Sequence, residues 1–165
     1  MSGNIAIGIQ DFSTIIQGNY FYIDKTPFIK EWWDCGDSAT LITRPHRFGK
    51  TLTMSMVEQF FSIDYAGRSD LFEHLAIWKE EKYRELQGTY PVISLSFARI
   101  KERDYEKTKQ KMCEVLRNIY IKFCYIKDSE KLTDADRAYY ERMLEENIKA
   151  VSYTHLRAHE TGAYL

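Results

Sequence analysis

The sequence has few cysteines and no excess of charge of either sign. Its 165 residues include three cysteines, and 23 basic and 24 acidic residues leave a net charge of −1. Such a chain has no global field that attracts nucleic acid, so any anion site must be local. An odd number of cysteines without metal-type spacing argues against a disulfide framework and against a zinc site. We therefore expect reduced thiols in the core of a cytoplasmic protein.

Long apolar runs and a basic leader are also missing. The first residues, MSGNIAIGIQDF, contain neither feature, which predicts that the chain has no signal peptide. No stretch approaches the roughly 18 apolar residues that a membrane span needs, so no membrane partner is expected. Hydrophobic residues make up 44% of the sequence and charged residues 28%, which is typical of a folded globular domain.

Hydrophobic periodicity predicts strands that alternate with helices. The predicted strands cover residues 19–23, 39–43 and 92–97. The first predicted helix has Thr26 as its N-cap and Pro27 at its first position, and it ends near Gly36. Further helices are predicted to begin at Lys50, at Asp104 and at Thr133, where Asp136 completes an acidic capping box. This alternation predicts the α/β class.

Residues 40–56, TLITRPHRFGKTLTMSM, place a basic loop between a predicted strand and a predicted helix. The order strand, loop, GKT and helix is that of a phosphate-binding P-loop. Gly49 would let the backbone approach the phosphates, Lys50 would contact the β- and γ-phosphates, and Thr51 would ligate Mg²⁺. Arg44 stands where the usual pattern has a glycine. A short GKT also recurs by chance, a basic loop is often only solvated, and contact of this loop with nucleic acid is the least favoured reading.

The predicted nucleotide-binding residues surround the loop glycine. They are Arg47, Phe48, Gly49, Lys50, Thr51 and Leu52. Thr51 is also the predicted Mg²⁺ ligand, and no catalytic residue is assigned.

Three separated motifs resemble a bacterial family of AAA-ATPase-like proteins. The loop ITRPHRFGKT is similar to the family form T-R-P-R-R-F-G-K-[ST], with His46 in place of an arginine. IGIQDFSTIIQGNYFYIDKTPFIKEW is similar to its N-terminal motif, and YPVISLSF to a core strand. The resemblance spans residue 5 to about 150. It implies a P-loop NTPase-like three-layer α/β core, here incomplete, that uses ATP and Mg²⁺. Full-length proteins of this family often carry a PD-(D/E)XK nuclease-like domain at the C-terminus.

The resemblance leaves Asp24 and Lys25 without a firm role. One interpretation is packing or helix capping. The other is the hypothesis that this segment closes over the nucleotide base. Unchanged nucleotide affinity in Tyr22→Ala and Lys25→Ala proteins would contradict the second.

The end of the sequence predicts an incomplete catalytic site. Residues 1–150 are expected to be the N-terminal part of the P-loop domain, and 151–165 resemble translated sequencing adapter and are expected to be a non-native tail. The acidic Walker B strand that hydrolysis needs would follow 133–149 in the family. We therefore expect this fragment to bind nucleotide weakly without hydrolysing it, and a longer parent protein to hydrolyse ATP slowly. The alternative is a non-hydrolysing interaction or regulatory module whose loop binds nucleotide or phosphate only structurally.

Overall fold

The chain is helical, and the predicted α/β three-layer core is wrong. The computed structural model describes residues 4–45 and 47–144, and within them we find helices and a single β-bridge between Ser62 and Tyr90 but no strand. The chain divides into two compact units, Met1–Ser94 and Leu95–Leu165. His46 and the predicted non-native tail, residues 151–165, lie outside the described residues, so the structure does not address the predictions made for them.

The first unit is built from short helices. They are α1 Phe12–Gln17, α2 Pro27–Cys35, α3 Lys50–Phe61 and α4 Glu81–Arg84, with 3₁₀ turns at Ile63–Tyr65, Ser69–Leu71 and Ala76–Lys79. Two helix starts agree with the sequence, because Pro27 opens α2 and Lys50 opens α3. Gly36 ends α2 in the left-handed conformation, φ 65°, which glycine adopts without steric cost.

The three predicted strands do not form, because a strand exists only where a second strand supplies backbone partners. Residues 19–23, 39–43 and 92–97 pair with no strand within the described ranges. Several of their apolar side chains face solvent, with Leu41 86% exposed and Ile93 64% exposed. The apolar composition of these segments therefore predicted a degree of burial that the structure does not show.

Aromatic side chains dominate the core of the first unit. Its buried members are Phe12, Ile29, Met56, Phe60, Phe61, Leu71, Phe72, Ile77 and Tyr83. The Phe72 ring lies 5.1 Å from the Phe12 ring and 5.1 Å from the Phe60 ring, centroid to centroid. α1, α3 and the turn at Ser69–Leu71 thus meet around one aromatic cluster, and this packing fixes the direction of α3.

The second unit contains α5 Tyr105–Lys122, a 3₁₀ segment Cys124–Asp128 and α6 Asp134–Leu144. The predicted capping box at its last helix is confirmed, because the Thr133 hydroxyl donates to Asp136 Oδ2 at 2.6 Å and the Asp136 N–H donates back to the Thr133 hydroxyl at 3.2 Å. Tyr140 donates its hydroxyl to the Tyr120 carbonyl at 2.5 Å, which ties α6 to α5.

Two findings bear on the expected cellular setting. Among the described residues, none of the helices has the length and apolar character required to cross a membrane. Cys35 and Cys124 are exposed and Cys113 is half-buried, so the expectation that all three thiols lie in the core is wrong.

Candidate functional site

The predicted phosphate loop leads directly into α3. Gly49 is the residue before the first helical turn and has a left-handed backbone, φ 76°. Its carbonyl accepts the Thr53 N–H at 2.9 Å and the Thr53 hydroxyl at 3.1 Å. Arg47 is also left-handed, φ 68°, a conformation that costs a non-glycine residue about 1–2 kcal/mol. The loop therefore holds a strained geometry immediately before the positive end of the helix dipole.

The Lys50 side chain folds back over its own loop. Its ammonium donates to the carbonyl of Arg44 and, at 3.4 Å, to the carbonyl of Pro45. These contacts keep the ammonium beside the N-terminus of α3.

Lys25 reaches the same loop from the N-terminal segment. Its ammonium donates to the Phe48 carbonyl at 3.3 Å. A Cβ atom placed on Gly49 would lie 2.7 Å from this ammonium, closer than side-chain carbons come to such atoms. Glycine is therefore favoured at position 49 by its backbone angle, whereas the Lys25 ammonium is the end of a flexible side chain that could move aside for a Cβ atom.

A cavity of about 870 Å³ lies between this loop and the N-terminal segment. Three cationic residues line it, Arg47, Lys50 and Lys25, and none of its described lining residues is acidic. Its lining also includes exposed apolar side chains, with Ile7 90% exposed and Phe21 61% exposed. The volume and the mixture of a cationic and an apolar wall are those of a small-molecule site.

Five of the six predicted site residues line this large cavity. They are Arg47, Gly49, Lys50, Thr51 and Leu52. Phe48 instead lines a second cavity of about 430 Å³, together with the carboxylates of Asp24 and Glu31. Lys25 and Lys50 line both cavities. Among the described lining residues, the larger cavity has no carboxylate to repel an anion, whereas the smaller one has two.

Asp24 fixes the backbone on one side of Lys25. One carboxylate oxygen accepts the Thr26 N–H at 2.8 Å and the Thr26 hydroxyl at 2.7 Å, and the other accepts the Ala76 N–H at 2.7 Å. The buried Thr26 hydroxyl in turn accepts the Ile77 N–H at 3.2 Å. The expected packing or capping interpretation therefore describes Asp24, whereas the predicted cap Thr26 makes no side-chain cap bond to α2.

Tyr22 fixes the backbone on the other side. Its hydroxyl donates to the buried Met56 sulfur at 3.2 Å and accepts the Lys25 N–H at 3.2 Å. Burial raises the pKa of Tyr22 to about 12, so its proton remains available for the Met56 contact at neutral pH. The hypothesis that this segment closes over a base stays a prediction, but the hydroxyl of Tyr22 is engaged in packing.

The described residues offer little to a free metal ion. They contain no group of three or more His, Cys, Asp or Glu side chains suited to a metal. The exposed Thr51 hydroxyl at the cavity is one possible oxygen ligand. Because Mg²⁺ often takes most of its ligands from substrate phosphates and water, this arrangement fits a Mg²⁺ that arrives with a nucleotide and not a preformed metal site.

Sequence reasoning did not assign Lys25 to the loop. The D-K-T motif marked the segment, but no sequence pattern indicated the direction of the lysine side chain. The signal that could have raised the question was a lysine placed between two residues with strong local hydrogen-bonding capacity, Asp24 and Thr26.

The chain is similar to an uncharacterised protein from the vnfD 5′ region of Azotobacter chroococcum mcd 1. The two are 32% identical over 113 residues, which covers 68% of this chain and 20% of that protein. The chain thus spans about a fifth of the length of this relative. No solved structure matches. The family model described as Predicted AAA-ATPase matches residues 6–158, as the motifs predicted, and the chain belongs to this AAA-ATPase-like family.

Proposed function

We propose that the large cavity binds the phosphates of ATP, with Mg²⁺, and that residues 44–51 act as a variant Walker A loop. The observation that carries this proposal is the convergence of Arg47, Lys50 and Lys25 on one cavity of about 870 Å³ at the N-terminus of α3, without a described acidic residue in its lining. Membership of a predicted AAA-ATPase family supports nucleotide binding in general.

Each loop residue has a distinct part in the proposed complex. The first backbone N–H groups of α3 have no partner within the helix and carry the positive end of its dipole, so they would donate to phosphate oxygens. The Lys50 ammonium would leave the carbonyls of Arg44 and Pro45 and contact phosphate as a point charge. The Thr51 hydroxyl would be a ligand of the Mg²⁺ that accompanies the nucleotide.

The apolar wall of the cavity would accept the base. Phe21 and Ile23 are two residues apart and are 61% and 68% exposed, and Ile7, which lines the same cavity, is 90% exposed. A planar base could contact these side chains and cover apolar area that now faces water. We propose Phe21 and Ile23, rather than the engaged Tyr22, as the base-contacting side chains.

We infer binding without hydrolysis by the described residues. ATP hydrolysis needs a carboxylate for the Mg²⁺ shell and a group that positions water. No described residue lining the large cavity carries a carboxylate. Slow hydrolysis by a longer parent, a cytoplasmic location and a fused nuclease-like domain stay predictions.

Calorimetric titration of the 165-residue chain with ATP and Mg²⁺ tests the proposal. We expect saturable binding that Lys50→Met weakens by about 10-fold or more, because a charge-assisted contact is lost. Lys30→Met is the matched control, since Lys30 pairs with Glu80 at 2.5 Å and lines neither cavity. Its affinity should equal that of the unmodified chain. Absence of ATP binding by the unmodified chain would refute the proposal and favour the interaction-module alternative.

A further inference from the structure

We propose that Lys25 is a second phosphate-binding cation of this site, and that it makes the site select nucleotides with two or more phosphates over monophosphates. This inference rests on the proposed nucleotide-binding function. Lys25 lies 25 residues before Lys50 in the sequence, in a different segment from the loop, yet the two side chains line the same cavity.

The Lys25 ammonium lies against the loop that precedes α3. It donates to the Phe48 carbonyl at 3.3 Å and lies 2.7 Å from the position that a Cβ atom on Gly49 would occupy. Its charge is therefore held against the middle of the loop, while the Lys50 ammonium is held against the carbonyls of Arg44 and Pro45 at the start of the loop. The two ammonium groups thus contact different parts of one loop.

Hydrogen bonds on both sides of Lys25 hold its backbone in place. Its own N–H is bonded to the Tyr22 hydroxyl at 3.2 Å, and Tyr22 is anchored to Met56 in the core. On the other side, Asp24 is bonded to the Ala76 N–H at 2.7 Å. A surface lysine loses up to about 2 kcal/mol of side-chain entropy when it is ordered, and its backbone must be ordered as well. In this protein the fold already orders the backbone of Lys25, so ligand binding would cost only the side-chain part of that entropy.

Within the described residues, the Lys25 ammonium does not use all of its hydrogen-bond donors. An ammonium has three N–H donors. Within residues 4–45 and 47–144, the hydrogen bond of this ammonium is the one to the neutral Phe48 carbonyl, at 3.3 Å. A carbonyl does not neutralise the charge, whereas a phosphate oxygen would, and the cavity that Lys25 shares with Lys50 and Arg47 is lined by no described carboxylate.

The chemistry of the ligand follows from the number of cations. A monophosphate can be neutralised by Lys50 and the helix N-terminus alone, because it presents one phosphoryl group to the loop. A diphosphate or triphosphate extends further and carries additional charge, which a second ammonium can contact. Lys25 should therefore add affinity for ATP and ADP and little for AMP.

Calorimetric titrations of ATP, ADP and AMP against the full chain test this selectivity. Lys25→Met should weaken ATP and ADP binding by about 10-fold or more without a comparable loss for AMP. Lys25→Arg should recover part of the loss, because it restores the charge. The dependence of ATP affinity on salt concentration should become shallower in Lys25→Met, since one screened contact is absent. Lys30→Met should behave like the unmodified chain.

The outcomes separate this inference from the function on which it rests. If Lys50→Met loses ATP binding and Lys25→Met keeps the ATP-to-AMP affinity ratio of the unmodified chain, the second-cation proposal is overturned while the nucleotide site stands. If Lys50→Met binds ATP normally, the proposed function itself fails. Thermal unfolding of Lys25→Met, followed by tryptophan fluorescence, should match that of the unmodified chain, and an equal loss for all three nucleotides would assign Lys25 a purely structural role and overturn the proposal.

Discussion

Replacement of Asp24 by alanine should destabilise the first unit by about 3 kcal/mol. The change removes the acceptor of three hydrogen bonds, two from Thr26 and one from Ala76, all between 2.7 and 2.8 Å. Hydrogen bonds to a charged group contribute about 1.5–3 kcal/mol each, and a buried donor left without a partner costs about 1–3 kcal/mol. Because Asp24 is half-buried, water can replace part of this loss, which places the expected value well below the sum.

Asparagine at the same position gives a graded result. Its single carbonyl oxygen can keep the two Thr26 bonds, but its amide then faces the Ala76 N–H, donor against donor. We expect Asp24→Asn to cost about 1–2 kcal/mol. Asp70→Asn is the control, since Asp70 forms an exposed pair with Arg68 at 2.9 Å that should contribute less than about 1 kcal/mol.

Urea unfolding followed by tryptophan fluorescence measures these differences. The three tryptophans of the chain, at positions 32, 33 and 78, all lie in Met1–Ser94, so the signal reports the first unit. We expect the free energy of unfolding to decrease in the order unmodified chain, Asp70→Asn, Asp24→Asn and Asp24→Ala. Equal stability of Asp24→Ala and Asp70→Asn would refute the view that Asp24 joins the N-terminal segment to the turn at Ala76–Lys79.

Two further predictions concern the core. Burial raises the Tyr22 pKa from 10.0 to about 12, so the stability that its retained proton contributes is fully present below pH 10 and is lost as the pH rises toward 12. In Tyr22→Phe, urea unfolding should therefore depend less on pH across this window, and an unchanged pH profile would contradict the burial of the hydroxyl. Phe72→Ala should cost about 3–5 kcal/mol in the same assay, because Phe72 is fully buried between the rings of Phe12 and Phe60. Phe48→Ala, at a side chain 60% exposed, is the control, and equal losses would refute this description of the core.

Helix ends were predictable from the sequence because they depend on contacts within a few residues. Pro27, Gly36 and the pair Thr133 and Asp136 each act locally, and the structure places them at helix ends. The short helix α1 was missed, although Asp11 caps it by accepting the Thr14 N–H at 2.7 Å. Six residues are too few for hydrophobic periodicity to be recognised.

The strands could not be settled from the sequence because pairing is non-local. The segment 92–97 is apolar enough for burial, but its secondary structure depends on whether another strand lies beside it. The candidate site was likewise predictable only where its residues are neighbours in the sequence. The loop around Lys50 was recognisable as a continuous motif, whereas the approach of Lys25 to Phe48 depends on the bonds of Tyr22 and Asp24 to distant parts of the chain.

In the proposed complex, the folded-back Lys50 side chain makes phosphate binding an exchange reaction. Its ammonium already donates to the carbonyls of Arg44 and Pro45, so a phosphate oxygen would replace existing acceptors and would gain only the difference between the two sets of bonds. The same contacts restrain the Lys50 side chain before binding, which would lower the side-chain entropy lost on binding. Occupation of the site would also release two carbonyl oxygens that then need new donors, from water or from the loop itself. A ligand that satisfied those carbonyls as well as contacting Lys50 would bind more tightly than one that contacted the lysine alone.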